Sequence, residues 1–291
     1  MQQKKKILFV LNPIAGTKFR KNINHQILKY LDTDRYDADF QKSKYPRHAF
    51  EIAQNYISKG YDAIIAVGGD GTVNEVGRAL IHSDISLGIV PVGSGNGLAR
   101  HLKIPISIRG AVKLINRMKL CKIDSLQIND AFVFCAGGLG FDAQVSKVFA
   151  GMNKRGLISY VKVSLQMYRS TKEQEFQIKS DGIKKNLKGF MLCFANASQF
   201  GNEAYLAPSA SVSDGLMNLI LIKKPSILQV PIFALRVFTK TVHKSKLWQE
   251  FIGKEFFISQ QGDLAHCDGE PMNIGHQIRA NVQPASLNVI S

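Results

Sequence analysis

Apolar runs of strand length alternate with amphipathic segments over the first 120 residues. The predicted strands are 7–11, 37–42, 63–67 and 87–90. Between them, the segments 23–31 and 48–58 repeat apolar residues every three or four positions, which predicts helices. Strands that alternate with helices indicate a parallel, doubly wound α/β sheet with right-handed crossovers, a Rossmann-like arrangement.

The pattern changes after residue 124, where short strand-like runs follow one another. These runs are 131–136, 175–179, 190–195, 217–222 and 256–259, and helices are predicted at 158–170 and 227–251. We therefore predict two domains, a doubly wound α/β domain over 1–124 and a mainly antiparallel β-sandwich over 125–275. Residues from about 276 to 291 are strand-like and can return to the first domain.

The chain of 291 residues carries 38 Lys and Arg against 22 Asp and Glu, a formal net charge of +16. This excess favours an anionic partner: nucleotide phosphates, nucleic acid or an anionic membrane surface. The four cysteines have no paired spacing, which argues against a disulfide framework or a zinc site. No run approaches the ~20 apolar residues of a membrane span, so the pattern predicts a soluble cytoplasmic protein.

A glycine-rich loop, Gly68-Gly69-Asp70-Gly71, directly follows the apolar run 63–67. Such a loop between a strand and a helix uncovers main-chain amides at the helix start, where the helix dipole favours phosphate. Thr72 and Glu75 have the spacing of a capping box, which predicts that the helix begins at Thr72. A carboxylate between glycines, Asp70, is unusual in a turn that only packs, so we interpret the loop as functional rather than structural.

A second glycine loop, Gly93-Ser94-Gly95-Asn96-Gly97, follows the strand predicted at 87–90. Its third glycine comes one residue too early for the dinucleotide-binding fingerprint, and the chain has no P-loop motif. Its serine and asparagine can still bond a phosphate or a ribose. In a doubly wound sheet this loop, 68–72 and 12–16 all lie at carboxyl ends of strands, so we expect the three loops to converge.

Acidic turns stand out in the second predicted domain. One is Ser211-Val212-Ser213-Asp214-Gly215-Leu216, and in the other Asp268 and Glu270 flank a glycine. A surface turn explains either motif, but two carboxylates on one short loop can also serve as metal ligand and general base. Phosphoryl transfer requires those parts, together with amides that hold the phosphates.

Four motifs occur in the order found in one enzyme family: Gly68-Gly69-Asp70-Gly71-Thr72, Pro91-Val92-Gly93-Ser94-Gly95-Asn96, Asp214-Gly215-Leu216-Met217 and Asp268-Gly269-Glu270. Together they resemble the diacylglycerol kinase catalytic family, which includes soluble bacterial lipid kinases and sphingosine kinases, over residues 5 to about 290. The resemblance implies an ATP- and Mg²⁺-dependent transfer of the γ-phosphate to a hydroxyl of a diacylglycerol- or sphingoid-type lipid, in phospholipid or related lipid metabolism. It makes the first domain nucleotide-binding and the second lipid-binding.

The resemblance also assigns roles to single residues. Glu270 becomes the proton acceptor with Asp268 beside it at the reaction centre, and the two compete for the role of base. Asp70 is tied to the catalytic magnesium. The positions that match ATP contacts are Asn12, Pro13, Ile14, Ala15, Gly16, Ser43, Gly68, Gly69, Asp70, Gly71, Thr72, Val73, Asn74 and Ser94.

A second, structural magnesium is implied at the Asp-Gly-Leu turn, held by Asp214 with main-chain oxygens of Ser211 and Leu216. The family often has a lysine at Ser211, and a main-chain ligand tolerates that change. The loop 93–98 is more similar to the sphingosine kinase version than to the bacterial Gly-Thr-x-Asn-Asp-Phe, which leaves the acceptor lipid open.

The segment 227–251 mixes apolar residues with Arg236, Lys240 and Lys244. Its apolar stripe either packs on the second domain or contacts a membrane surface transiently. Alternative functions are an NAD kinase-like enzyme, a nucleic-acid-binding protein and a non-catalytic lipid-binding homologue. The chain has no zinc, helix-turn-helix or aromatic RNA-binding pattern, so we do not expect nucleic acid as a partner. The oligomeric state, a homodimer included, stays open.

Overall fold

Residues up to Ile123 and from Ala285 onward form one unit, and Asp124–Pro284 form a second. The computed structural model describes residues 3–16, 22–152, 157–180 and 182–291. The first unit is mixed α/β and the second is mainly β.

A parallel sheet forms the centre of the first unit. Its strands are β1 (Lys5–Leu11), β2 (Tyr36–Lys42), β3 (Ala63–Gly68) and β4 (Ser86–Pro91). They lie in the order β2-β1-β3-β4, with parallel pairing throughout. Every residue of β3 and β4 is buried, as is typical of parallel strands that are covered on both faces.

Helices connect these strands. They are α1 (Ile23–Leu28), α2 (His48–Tyr56), α3 (Asp70–Leu80), α4 (Gly97–His101) and α5 (Ile108–Ile115), with a 3₁₀ turn at Ile57–Lys59. α1 packs against α5, and α2 packs against α3. The chain moves from β1 to β2 in one direction and from β3 to β4 in the other, so right-handed crossovers bring α1 and α3 to opposite faces. The prediction of a doubly wound, Rossmann-like sheet is confirmed.

The remaining elements are mostly short strands. They are β5 (Leu120–Ile128), β6 (Ala131–Val133), β7 (Ala136–Gly140), β8 (Gln174–Ser180), β9 (Ile183–Gly189), β10 (Met191–Ala195), β11 (Met217–Ile222), β12 (Trp248–Gly253), β13 (Glu255–Gln260), β14 (Leu264–Cys267), β15 (Glu270–Asn273) and β16 (Gln277–Ile290). The helices are α6 (Phe141–Ala150), α7 (Leu157–Ser170) and α8 (Val230–Phe238), with a 3₁₀ turn at Val242–Lys244.

The second unit is built from antiparallel strands in facing layers. One layer has the order β12-β11-β10-β7-β14-β15, and the other has the order β16-β13-β8-β9, with β5 and β6 beside β16. Phe194 and Leu219 of the first layer pack with Phe176 and Ile258 of the second in one buried cluster. The predicted β-sandwich is confirmed.

The end of β16 takes part in the parallel sheet of the first unit. Val289 pairs in parallel with Leu87 of β4. Leu287, Val289 and Ile290 are fully buried. The carboxyl-terminal residues are therefore part of the first unit's core.

The predicted helix over 227–251 is confirmed only over Val230–Phe238, and its extension to 251 is wrong. The helix α8 ends at Phe238, and Lys240 has a positive φ of 60°, a conformation that does not continue a helix. Trp248–Gly253 instead forms β12, whose Trp248 pairs with Ile222 of β11. Among the described residues, none of the helices is both long and apolar enough to cross a bilayer.

Candidate active site

Asp70 ties two loops of the first unit together. Its Oδ2 accepts the main-chain N–H of Asn96 at 2.8 Å, and its Oδ1 accepts the N–H of Gly97 at 2.7 Å. These N–H groups belong to the start of α4, so the carboxylate caps that short helix from the first turn of α3. The unusual acid between glycines therefore fixes the loop 93–97 against the loop 68–71.

The loop 12–16 joins the same cluster. The Asn12 side chain donates to Thr72 Oγ1 at 3.0 Å and accepts the N–H of Ile14 at 3.1 Å. Gly16 has a φ of 78°, and a Cβ there would overlap the carbonyl oxygen of Val92. The loops 12–16, 68–72 and 91–97 thus converge, as the sheet topology predicts.

Close approach of neighbouring atoms explains two further glycines. A Cβ at Gly68 would overlap the side chain of Thr72, and a Cβ at Gly69 would lie 3.2 Å from the Cα of Gly93. Thr72 is buried, so its hydroxyl serves the loop contact with Asn12. The absence of side chains lets the two glycine loops touch backbone to backbone.

The helix α3 begins at Asp70, not at Thr72, and the predicted capping box is wrong. Glu75 instead accepts the main-chain N–H groups of Arg47 and Ala49, each at 3.0 Å. It therefore caps the start of α2, since a helix amino terminus has N–H groups without intrahelical partners. Glu75 is therefore a capping residue, as its type suggests, but it caps α2 rather than its own helix α3.

The N-cap of α3 is Gly69, which has no side chain to bond the first-turn amides. Val73 donates its N–H to Gly69 O at 3.0 Å, so this amide is part of the helix. Ser94 is exposed, whereas Ser43 is buried and its hydroxyl donates to Leu11 O at 3.4 Å. The remaining nucleotide candidates lie on the loop 12–16 (Pro13 and Ala15) or in the first five residues of α3 (Gly71 and Asn74).

In the second unit, Asp268 and Gly269 form the turn of the hairpin between β14 and β15, in which Cys267 pairs with Glu270. Their φ values of 48° and 86° are both positive, as a two-residue hairpin turn of the Asp-Gly type requires. Asp268 Oδ1 accepts the N–H groups of Cys135 at 2.9 Å and Ala136 at 3.1 Å. Its Oδ2 accepts the N–H of Phe134 at 3.0 Å. Asp268 therefore anchors the hairpin.

Glu270 is exposed at the first position of β15. Its negative charge and that of Asp268 act on the neighbouring thiol: burial raises the pKa of Cys267, and the two carboxylates raise that pKa further. The hairpin thus presents one carboxylate to solvent while the other bonds main-chain amides.

The predicted metal turn has a defined conformation. Asp214 Oδ1 accepts the N–H of Leu216 at 3.0 Å around Gly215, and the Gly215 N–H donates to Asp124 Oδ2 at 2.7 Å. Carboxylate and main-chain oxygens are the donors that Mg²⁺ prefers, so the chemistry of Asp214, Ser211 and Leu216 fits this ion. Within the described ranges, no group of three or more His, Cys, Asp or Glu side chains could hold a metal, so a magnesium here would depend on main-chain oxygens.

Buried polar residues outside the sequence motifs connect these features. Asn196 Nδ2 donates to the carbonyl oxygens of Asp124 and Phe134, each at 2.9 Å. It therefore links the strand beside the metal turn to the amides that bind Asp268. A second buried group, Asp142 with His266, lies beneath the hairpin. A sequence signal existed for Asp142, which follows the glycine-dense stretch 137–140.

Comparisons with known proteins agree with this arrangement. Residues 6–128 match the family model described as diacylglycerol kinase catalytic domain. Residues 137–291 match the model described as YegS C-terminal NAD kinase beta sandwich-like domain. The two matches together span nearly the whole chain.

Named relatives cover most of the chain as well. A Bacillus subtilis (strain 168) protein named "Diacylglycerol kinase" is 30% identical over 247 residues, which cover 80% of this chain and 79% of that protein. An Enterobacter sp. (strain 638) protein named "Probable lipid kinase YegS-like" is 29% identical over 240 residues, which cover 79% of this chain and 78% of that protein. A crystal structure of a diacylglycerol kinase from Bacillus anthracis str. Sterne shares the fold, with a TM-score of 0.76 at 19% identity over 100% of this chain and 97% of that chain. The chain therefore belongs to the diacylglycerol kinase family of lipid kinases.

Proposed function

We propose that the protein transfers the γ-phosphoryl group of ATP to a hydroxyl group of a diacylglycerol- or sphingoid-type lipid. The observation that carries the proposal is the convergence of the loops 12–16, 68–72 and 91–97 around the start of α3. A helix start lined by glycines offers main-chain amides to an anion without side chains in the way. A nucleoside triphosphate fits this chemistry, and the match to a kinase catalytic domain favours ATP as that ligand.

The phosphates bind at α3 rather than at α4. The amides of Asn96 and Gly97 at the start of α4 already donate to Asp70, whereas the N-cap of α3 is a glycine. Ser94, exposed on the loop between them, supplies a hydroxyl to the nucleotide. Asp70 then acts by holding the loop 93–97 in register, and its carboxylate would contact the catalytic magnesium.

Glu270 is the proton acceptor. Asp268 already accepts main-chain N–H groups with both oxygens, so its carboxylate is held in one orientation, whereas Glu270 is exposed. As the lipid hydroxyl oxygen forms its bond to the γ-phosphorus, its proton passes to Glu270. The bond between that phosphorus and the bridging oxygen breaks, and ADP leaves.

Magnesium is the cofactor that this chemistry uses. Asp214 with the main-chain oxygens of Ser211 and Leu216 would hold the structural ion, and Asp70 would contact the catalytic one. When bound with ATP, Mg²⁺ neutralises charge on the transferring phosphoryl group. The oxygen-only donor set at Asp214 supports this choice of metal.

An exposed apolar stripe supports contact with a membrane surface. Ile227, Leu228, Ile232, Leu235 and Phe238 are 50–87% exposed on α8 and the segment before it. Exposed basic residues, Lys240 and Lys244, follow in the chain and suit anionic head groups. We propose that this stripe brings the enzyme transiently to the bilayer that holds its substrate.

The test is a phosphorylation assay with γ-labelled ATP. Purified protein is incubated with Mg²⁺ and separate detergent-dispersed lipids: diacylglycerol, sphingosine, ceramide and phosphatidylglycerol, with NAD as a further acceptor. Label in one lipid that requires Mg²⁺ and is lost in Glu270→Gln supports the proposal. Label in NAD would overturn the proposal in favour of an NAD kinase-like enzyme. Label in none of the acceptors would contradict lipid kinase activity itself.

A further inference from the structure

The hairpin that carries Glu270 is held from below by buried polar side chains of α6 and β14. Gly269, the residue directly before Glu270, uses both of its main-chain polar groups. Its N–H donates to His266 Nδ1 at 3.3 Å, and its carbonyl oxygen accepts the hydroxyl of Ser146 at 2.7 Å. These contacts involve the two peptide groups of Gly269 and therefore fix the direction in which the chain enters Glu270.

The contact with Gly269 determines which ring nitrogen of His266 is protonated. Because Nδ1 accepts the Gly269 N–H, the proton of the neutral ring lies on Nε2. His266 Nε2 then donates to Asp142 Oδ2 at 3.1 Å. The side chains of this pair are only 8% and 6% exposed, so water does not compete for the bond.

Asp142 is itself held firmly. Its Oδ1 accepts the N–H of Ala143 at 2.9 Å, and its Oδ2 also accepts the thiol of Cys193 at 3.3 Å. It lies in the first turn of α6, where the helix dipole favours a carboxylate. A Cβ at Gly138 would overlap this carboxylate, so glycine on the neighbouring strand β7 leaves the space that it occupies.

Asp142 and Ser146 lie four residues apart on α6, so they share one face of the helix. Asp142 contacts Gly269 through His266, and Ser146 donates directly to the carbonyl oxygen of Gly269. A rigid helix and a rigid strand thus converge on a single glycine of the hairpin. Asp268 fixes the other turn residue through the amides of 134–136.

We infer that Asp142, His266 and Ser146 are positioning residues that orient the Glu270 carboxylate through Gly269. The inference rests on the proposed function, in which Glu270 accepts the proton of the lipid hydroxyl. A base that is displaced by about an ångström loses much of its rate advantage, because proton transfer requires hydrogen-bond distance. The hydrogen bonds to Gly269 therefore fix the main chain that carries the exposed side chain of Glu270.

The variants Ser146→Ala, Ser146→Thr and His266→Gln test this role, with Ser164→Ala as the matched control. Ser164 also donates its hydroxyl to a main-chain oxygen, that of Tyr160 at 2.9 Å, but within α7. We expect Ser146→Ala to lower kcat about tenfold while the KM for ATP stays unchanged. Ser146→Thr keeps the hydroxyl and should recover most of the rate, and His266→Gln should lower kcat at least as far as Ser146→Ala.

A double variant separates positioning from a general loss of structure. In a Glu270→Gln background, Ser146→Ala should cause no further loss, since the group that it positions is already absent. An equal loss in both backgrounds would overturn the inference, as would an unchanged kcat of Ser146→Ala in active enzyme. An inactive wild-type protein would instead overturn the proposed function.

Nitrogen-15 spectra of the imidazole provide a readout without turnover. The wild-type protein should show His266 with its proton on Nε2, and the Gly269 amide should exchange slowly with solvent. A ring protonated on Nδ1, or a Gly269 amide that exchanges at the rate of an open loop, would contradict the hydrogen bond on which the inference depends.

Discussion

Asp268 and Glu270 lie two residues apart, yet the first carboxylate accepts main-chain N–H groups of Phe134, Cys135 and Ala136 while the second is exposed at the start of β15. The resemblance found in the sequence makes Glu270 the proton acceptor but leaves Asp268 as a competing candidate for the base. In the structure Asp268 accepts main-chain N–H groups whereas Glu270 is exposed, and this difference in environment yields distinct predictions for the two positions.

Glu270→Gln should lower kcat by about 10²- to 10⁴-fold, because the amide cannot take the proton of the acceptor hydroxyl. The midpoint of thermal unfolding should change little, since the side chain is exposed. Steady-state kinetics and differential scanning calorimetry measure the two effects. Asp263→Asn, an exposed acid before the same hairpin, is the control and should keep wild-type kcat. Wild-type turnover of Glu270→Gln would exclude this residue as the base.

Asp268→Asn should lower stability as well as activity. An amide offers one acceptor oxygen, so at least one N–H among residues 134–136 loses its partner. We expect the free energy of unfolding to fall by about 1–3 kcal/mol, measured by urea denaturation. A variant with wild-type stability and no activity would show that Asp268 acts in the reaction rather than as an anchor.

Asp70→Asn should weaken nucleotide binding. The substituted amide accepts one of the N–H groups of Asn96 and Gly97 and turns its own N–H₂ towards the other, which releases the loop 93–97. We expect the Kd for ATP, measured by isothermal titration calorimetry, to rise about tenfold or more. Asp84→Asn, an exposed acid of the same unit, should bind as the wild type does. An unchanged Kd for Asp70→Asn would mean that the loop does not contact the nucleotide.

Stability should fall at alkaline pH because of two buried thiols. Burial raises the pKa of Cys193 and of Cys267, and nearby carboxylates raise both further, from an ordinary value of 9.0. A raised folded-state pKa stabilises the protein below the unfolded pKa, and this contribution is lost as the pH rises above about 9. Each thiol should then remove up to ~1.4 kcal/mol per pH unit from the free energy of unfolding.

Urea denaturation of wild type and of Cys193→Ala/Cys267→Ala at about pH 8 and about pH 10 measures this alkaline loss. The double variant should lose less stability between the two pH values than the wild type, and Cys121→Ala should match the wild type. Equal losses in all three proteins would assign the alkaline effect to other groups.

Leu228→Ser/Leu235→Ser should reduce binding to phosphatidylglycerol vesicles by at least about tenfold, because each leucine would bury apolar surface in the bilayer interface. Sedimentation with the vesicles measures the bound fraction. The matched control is Ile183→Ser, since Ile183 is 62% exposed on β9 of the same unit. Equal binding of all three proteins would mean that the stripe on α8 does not contact lipid.

The sequence predicted the buried parallel strands and the convergence of their loops well, because burial on both faces leaves a continuous apolar run such as β3. It did not predict β9, whose Ile-Lys-Lys-Asn-Leu-Lys-Gly sequence is mostly exposed and carries no apolar pattern. Its exposed lysines are typical of an edge strand, a role that depends on the neighbours in the sheet. The strand β12 was not predicted for a similar reason, since its pairing with β11 outweighs the helical pattern assigned to 227–251.

Contacts between distant residues limited the prediction of the site. Glu75 has capping-box spacing, but its carboxylate bonds Arg47 and Ala49, and no local pattern reveals those partners. His266 lacks metal-ligand spacing, and only the fold brings it to Asp142, 124 residues away in the chain. Motifs therefore located the loops, whereas the contacts that hold those loops required the structure.

The pairing of Val289 with Leu87 has a consequence for synthesis. During translation, residues 6–128, which match the catalytic-domain model, emerge from the ribosome well before the strand β16 is synthesised. Until then the open side of β4 lacks the buried side chains of Leu287, Val289 and Ile290, and an unpaired strand edge invites association with other chains. The parallel sheet of the first unit is therefore complete only after residues 285–290 have been synthesised.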